Sequence, residues 1–154
     1  MEDQIESKYN AMDIAKYAIN RRYKSNRPIS NLQIQKMLYV LQIIFTAKTG
    51  RLLFLDQFEA WAYGPIIREV YIEFADCGGY PIRCKFDIDV GCEIKPFLDA
   101  GIDTLAEKSP WDLVRISNAE GSPWDVVYNR EGRHKGTIPN GLIMQCAFNA
   151  STWH

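Results

Sequence analysis

The residues of this sequence that could perform acid–base chemistry as a pair are two glutamates, Glu59 and Glu69. Paired carboxylates can divide the roles of general acid and general base between them. The two glutamates fall on different predicted elements, and no histidine, cysteine or serine stands at a spacing that would complete a catalytic set. We therefore predict no catalytic residue and a protein that is not an enzyme.

Cysteine and histidine are too widely spaced in this chain to indicate a metal site. Structural zinc sites use ligand patterns such as C-x-x-C. No two cysteines have that spacing, and His134 belongs to a charged, glycine-containing segment, residues 130–136, that is typical of a solvated loop. The complete set is Cys77, Cys84, Cys92, Cys146, His134 and His154. We predict no metal, no cofactor and no disulfide framework.

The charge of the chain bears on nucleic-acid binding. The formal net charge is −1, whereas nucleic-acid binders usually carry a basic excess. One basic segment, residues 16–27, precedes a capped helix and a hairpin pattern, which is the order found in winged-helix DNA-binding domains. The helix that would enter the groove is apolar on nearly all sides, so it cannot serve the core and DNA together. We expect no specific nucleic-acid partner and keep a winged-helix DNA-binding regulator as an alternative.

No segment of the sequence has the pattern of a membrane span or a leader. The most apolar run, residues 38–45, is much shorter than a bilayer-spanning helix and lies between Lys36 and Lys48. The first six residues are acidic and lack the apolar centre of a signal peptide. We expect no membrane insertion and a cytoplasmic location.

The strongest structural prediction is a helix from Ser30 to Gly50. Ser30 and Gln33 form a capping-box pattern, and Gly50 stands where a helix-ending glycine is favoured. Between them, apolar residues occupy most sides of the helix rather than one stripe, and such a helix belongs at the centre of a fold. The fold class is therefore predicted to be mainly α (α+β): a compact helical domain with a central buried helix and a small β-hairpin or short sheet.

The remaining elements follow from periodicity and from glycine and proline positions. Residues 10–24 predict a first helix, residues 52–54 and 58–63 a small hairpin, and Pro65 the first turn of a third helix that ends at Gly78-Gly79. In the second half we predict a strand at 86–90 and helices at 95–107, after Ser109, after Ser122 and at 139–148. Neither a repeat nor a linker-like stretch interrupts the sequence, so residues 1–154 are predicted to form one domain.

Three blocks of the sequence together resemble a known family. They are residues 32–39 (LQIQKMLY), 49–54 (TGRLLF) and 58–71 (FEAWAYGPIIREVY). They are similar to the signature of the Panacea domain of SocA-like antitoxins, and weaker similarity extends the match to roughly residues 11–148. Asn118 and Ala119 depart from it, because family members often carry Thr and His there.

The resemblance implies a function by protein contact. It implies a mostly helical antitoxin that neutralises a cognate toxin by direct binding, and in one branch of the family the toxin is delivered to a protease. An alternative with the same type of surface is a phage-encoded inhibitor of a host protein.

The candidate partner-binding residues are aromatic and charged side chains of the matching blocks. Tyr and Trp contribute much of the binding energy of interfaces, and Arg pairs and stacks readily. The candidates are Tyr39, Trp61, Tyr63, Arg68 and Glu69. For Trp61 we favour a competing interpretation, in which it fills core space while Gly64-Pro65 sets the strand-to-helix corner. Arg68 is expected on the polar side of its helix.

Overall fold

The computed structural model describes residues 8–151, and the acidic N-terminal hexapeptide lies outside them. Within this range the chain forms seven α-helices and a three-stranded sheet, so the predicted α+β class is confirmed. The helices are α1 (Ala11–Lys24), α2 (Asn31–Thr49), α3 (Arg68–Glu73), α4 (Lys95–Ala106), α5 (Pro110–Ser117), α6 (Pro123–Asp125) and α7 (Asn140–Ser151). A 3-10 turn, Ala75–Cys77, follows α3, and a π-helical turn, Val126–Arg130, continues α6.

Helix α2 lies at the centre of the fold, as its sequence predicts. The Ser30 hydroxyl accepts a hydrogen bond from the Gln33 backbone, and the Gln33 side chain accepts one from the Ser30 N–H, which completes the predicted capping box. Gly50 ends the helix in the left-handed conformation at φ 76°. Helices α1, α3, α4, α5 and α7 and the sheet all pack against α2. Burial on so many sides explains why its apolar residues follow no single stripe.

The sheet is antiparallel with the order β2-β1-β3, built from β1 (Phe58–Trp61), β2 (Gly64–Ile66) and β3 (Gly136–Ile138). The predicted β1 strand is correct, but its partner is β2, with Glu59 opposite Ile66. The predicted helix start at Pro65 is therefore wrong: Pro65 lies in the edge strand β2, where its missing N–H costs no ladder hydrogen bond. Helix α3 begins three residues later.

Two further strand predictions are wrong. Residues 81–90 have no regular structure, and residues 52–54 form only an isolated bridge between Phe54 and Tyr9. At 52–54 a side chain replaces the ladder: the amide of Gln42, fully buried on α2, accepts from the Leu53 N–H at 2.7 Å and donates to the Phe54 carbonyl at 2.8 Å.

A second buried amide of α2 fixes the start of α3. Gln35 is fully buried, and its Oε1 accepts a hydrogen bond from the Ile67 N–H at 2.8 Å. Its Nε2 donates to Asn31 Oδ1 at 3.1 Å, and Asn31 donates to the Tyr71 carbonyl at 3.0 Å. Polar groups on α2 thus position the chain that follows the sheet.

We expect Gln35→Leu to lower the free energy of unfolding by about 2 kcal/mol, because the buried Ile67 N–H loses its acceptor. The measurement is urea-induced unfolding, with Gln145→Leu as the matched control because Gln145 is exposed on α7. Equal midpoints for the two variants would contradict this assignment.

The irregular segment 78–94 is attached to the helices at a few points. The Ile82 N–H donates to the Ile29 carbonyl at 2.8 Å. The Asn20 side chain donates to the Phe86 carbonyl at 2.8 Å and accepts from the Phe86 N–H at 2.7 Å. The Phe86 ring meets Phe74 at 5.8 Å between centroids.

Among the described residues, no helix is both long and apolar enough to cross a bilayer.

Candidate partner-binding surface

The turn between β1 and β2 brings the aromatic block of the sequence to the surface. Tyr63, at its tip, is 67% exposed. Gly64 follows with φ 117°, which L-residues rarely adopt, and its backbone is buried. A Cβ at Gly64 would overlap the Lys36 ammonium and would lie 2.7 Å from Asn118 Oδ1. Glycine is therefore required here both by the backbone conformation and by the close approach of two polar side chains.

Lys36 is a charged residue inside the central helix. It is 3% exposed, and its ammonium donates a hydrogen bond to the Tyr63 carbonyl. No carboxylate within residues 8–151 forms a salt bridge with it. Burial lowers the pKa of Lys36 to about 8, because desolvation penalises the charged form. The turn is thus tied to α2 through a buried cation.

A pocket opens above Lys36 between α2, the β1–β2 turn and α5. Its volume is about 520 Å³, within the range of sites that hold small molecules or several side chains. Its walls are mainly apolar and include Leu32, Pro81, Pro110, Trp111 and Val114; Lys36, Tyr63 and Asn118 also line it.

The rim of this pocket carries two exposed aromatic side chains. Trp111 of α5 is 74% exposed, even more than Tyr63. The local sequence explains the position of Trp111: Ser109 caps α5 by accepting from the Asp112 N–H at 3.1 Å, and Pro110 occupies its first turn. Trp111 therefore lies in the exposed first turn of a short helix. We call the pocket and these two aromatic residues the pocket surface.

Trp61 lies at the sheet rather than in the core. It is only partly buried, its indole N–H donates to Glu59 Oε1 at 2.9 Å, and its ring packs on Tyr71 at 5.1 Å. Lys135 Nζ lies 4.9 Å from the ring centroid, a cation–π contact. The favoured interpretation that Trp61 fills core space is therefore wrong. Its backbone carbonyl also accepts a hydrogen bond from Trp124 at 2.7 Å.

The structure separates the other predicted partner-binding residues. Tyr39 is 1% exposed and meets Phe58 edge-on at 5.4 Å, so it lies in the core and we remove it from the candidate surface. An aromatic residue on an all-round apolar helix is more readily buried than offered to a partner. Arg68 and Glu69 are exposed at the start of α3, as expected for Arg68, but neither lines the pocket.

The glutamates and the histidine have other contacts. Glu59 orients Trp61 as described, and Glu69 is exposed on α3. His134 is exposed and stacks on Tyr128 at 4.2 Å, and Tyr128 stacks on Trp124 at 4.8 Å. Residues 8–151 contain no group of three His, Cys, Asp or Glu that could hold a metal ion.

Sequence reasoning missed Lys36, Trp111 and Asn118 as members of a shared site. A signal for Lys36 existed, because it is a charge within the most uniformly apolar helix of the chain. Trp111 follows a predicted cap and proline, which places it in a first helical turn, but nothing in the sequence brings α5 beside the β1–β2 turn.

The described chain has helices around a central buried helix, a small sheet and an aromatic-rimmed pocket, and comparison with known proteins identifies its family. The family described as "Antitoxin SocA-like, Panacea domain" matches residues 34–125, a range that includes Lys36, the β1–β2 turn and α5. The chain belongs to this family, as the sequence blocks predict. A curated relative is the antitoxin SocA of Caulobacter vibrioides (strain NA1000 / CB15N), 34% identical over 140 residues, which cover 82% of this chain and 74% of the relative. No solved structure matches the chain.

Proposed function

We propose that this protein is an antitoxin that neutralises a partner toxin by binding it directly, and that the pocket surface makes the contact. The observation that carries this proposal is the pair of exposed aromatic residues, Tyr63 and Trp111, on the rim of a mainly apolar pocket. Tyr and Trp dominate the binding energy of protein interfaces when they are buried by a partner. Membership of an antitoxin family supports a toxin as that partner.

We extend the proposed surface to neighbouring residues of β1 and α3. Trp61 precedes the β1–β2 turn, and Arg68 and Glu69 follow β2 after one buried residue, Ile67. Their charges suit the polar rim that surrounds an apolar interface centre. A non-enzymatic role fits this arrangement, since Glu59 and Glu69 belong to different elements and Glu59 holds Trp61.

The alternatives differ in their partners. A phage-encoded inhibitor of a host protein would use the same type of surface, and so would an adaptor that delivers the bound toxin to a protease. The burial of α2 weighs against the winged-helix regulator, because that helix is covered on most sides and cannot enter a DNA groove. The cytoplasm suits such a protein, because its cysteines are free thiols.

We expect Tyr63→Ala and Trp111→Ala each to weaken capture of the toxin at least tenfold, because each removes an exposed aromatic anchor. Arg68→Ala should weaken capture less and leave the melting temperature unchanged. The measurement is binding to the protein encoded next to this protein's gene, tested as the toxin, together with protection of growing cells that express it.

The matched control is Phe148→Ala, which removes an aromatic side chain of similar exposure, 69%, from α7. Capture should be unchanged in this variant. If Tyr63→Ala and Trp111→Ala both bind and protect like the unmodified protein, the pocket surface is not the toxin contact.

A further inference from the structure

The ammonium of Lys36 is a buried cation with unused hydrogen-bonding capacity. It has three donors, and the Tyr63 carbonyl accepts from one of them. No other acceptor within residues 8–151 forms a hydrogen bond with it. A buried charge is costly unless it is paired, and natural proteins place such charges beside a counter-ion. Within residues 8–151 this cation forms a salt bridge with no carboxylate.

The nearby acidic side chains do not supply this anion. On α5, Asp112 pairs with Arg115 of the same helix. Glu59 accepts from the Trp61 indole, and Glu69 is exposed on α3. A carboxylate that pairs with Lys36 would therefore come from outside the described residues.

The pocket gives an external anion access to Lys36. Lys36 and Asn118 both line the pocket, and their polar atoms converge on the backbone of Gly64. Asn118 Oδ1 accepts from the Ser117 hydroxyl at 2.9 Å, while its amide nitrogen donates to no residue in the range 8–151. A carboxylate at this floor could accept hydrogen bonds from both side chains.

The apolar walls of the pocket indicate what kind of segment would carry the carboxylate. Leu32, Pro81, Trp111 and Val114 make the pocket mainly apolar above its floor. A small hydrated anion would gain nothing from these walls, whereas an acidic side chain flanked by apolar residues matches both walls and floor. The volume of about 520 Å³ accommodates several side chains of such a segment.

We propose that Lys36 anchors an Asp or Glu side chain projected from an apolar segment of the toxin into this pocket. The proposal rests on the proposed function, since it assigns the chemistry that the pocket surface recognises. Binding then pairs the buried ammonium and covers Tyr63 and Trp111 in one step.

Pairing with a carboxylate predicts a dependence of affinity on pH. In the free protein the pKa of Lys36 is about 8, and a bound carboxylate would raise it, so binding takes up a proton above pH 8. Among the elements that pack on α2 or border the pocket, the β1–β2 turn carries Tyr63, α5 carries the paired Asp112 and Arg115, and α3 carries Arg68 and Glu69. We expect the affinity of the unmodified protein to fall about tenfold from pH 7 to pH 9.

The experiment measures capture of the toxin that the binding test above identifies, by the unmodified protein and by Lys36→Met, at pH 7 and pH 9. Lys36→Met should lose at least tenfold in affinity at pH 7 and lose the pH dependence. Thermal melts of both proteins verify that the variant is folded. In the toxin, one Glu→Gln or Asp→Asn change should weaken capture by the unmodified protein and have no effect with Lys36→Met, because the two changes break one interaction.

Three results would overturn the proposal. The first is capture by folded Lys36→Met within twofold of the unmodified protein, and the second is an affinity of the unmodified protein that does not change between pH 7 and pH 9. The third is capture that is lost when the toxin's C-terminus is extended but is kept when each of its acidic side chains is neutralised in turn. That result would assign the site to a terminal carboxylate. If Trp111→Ala and Tyr63→Ala weaken capture at least tenfold while one of these three results is found, the proposed function stands without the Lys36 anchor. If they do not weaken capture, the proposed function and the Lys36 proposal are both wrong.

Discussion

Gly64→Ala is expected to lower the free energy of unfolding by about 3 kcal/mol. Two costs combine: an L-residue is strained at φ 117°, by on the order of 1–3 kcal/mol, and the new methyl group overlaps the Lys36 ammonium and approaches Asn118 Oδ1. Lys36 is buried and bonded to the Tyr63 carbonyl, so moving its ammonium away from the new methyl group disturbs that hydrogen bond. Urea unfolding and a thermal melt measure the loss.

Gly91→Ala separates the two costs. Gly91 also has a positive φ, 94°, but a Cβ there would have no atom within 4 Å. Its substitution should therefore cost only backbone strain, on the order of 1–2 kcal/mol. If both variants lose the same stability, the contact between Gly64 and the two polar side chains has no energetic weight.

Lys36→Met is expected to raise the free energy of unfolding at pH 7 by about 2 kcal/mol. A pKa lowered from 10.5 to about 8 corresponds to a cost of about 3 kcal/mol for keeping the charged form in the fold. Loss of the hydrogen bond to the Tyr63 carbonyl offsets about 1 kcal/mol of this gain. The melting temperature should rise by roughly 4–8 °C for a domain of this size.

The sign of the effect can be tested by changing pH. The folded-state pKa of Lys36 lies below its unfolded value, so the unfolded state binds more protons between pH 8 and pH 10.5, and the stability of the unmodified protein rises through that window. The advantage of Lys36→Met should be full below pH 8 and vanish above about pH 10.5. Lys48→Met, at an exposed lysine of the same helix, should change stability little at any pH. A stability gain that persists at pH 11 would assign the effect to packing rather than to charge.

The parts of the fold that the sequence predicts are the local ones. The capping box at Ser30, the end of α2 at Gly50 and the caps at Ser109 and Ser122 depend on residues within one turn of each other. Strand β3 was not predicted, because it pairs with β1 across some 75 residues of chain and its three residues have no pattern of their own. Residues 86–90 alternate like a strand, yet no strand within the described range 8–151 pairs with them.

The site was predictable only in part for the same reason. The exposure of Arg68 was predicted from its helix face, but the β1–β2 turn that exposes Tyr63 was not, because residues 58–63 were expected to form one strand that leads into a helix. Tyr39 and Trp61 were assigned to the wrong environments, because an aromatic side chain alone does not reveal whether neighbouring elements cover it. The meeting of Lys36 with Tyr63 and Asn118 depends on how α5 packs on α2, which no local pattern encodes.

The way in which segment 78–94 is fastened has a consequence for how this protein can change over time. Ile82 and Phe86 are each held by backbone hydrogen bonds, and Val90 and Ile94 are buried beyond them. Between these anchor points the backbone pairs with no strand, so residues can be inserted or deleted without shifting any register. Pro81, which lines the pocket, lies directly before the first anchor. Variation in the length of this loop can therefore reshape one wall of the pocket while α2 and the sheet stay as they are, which offers a route to new binding preferences on an unchanged scaffold.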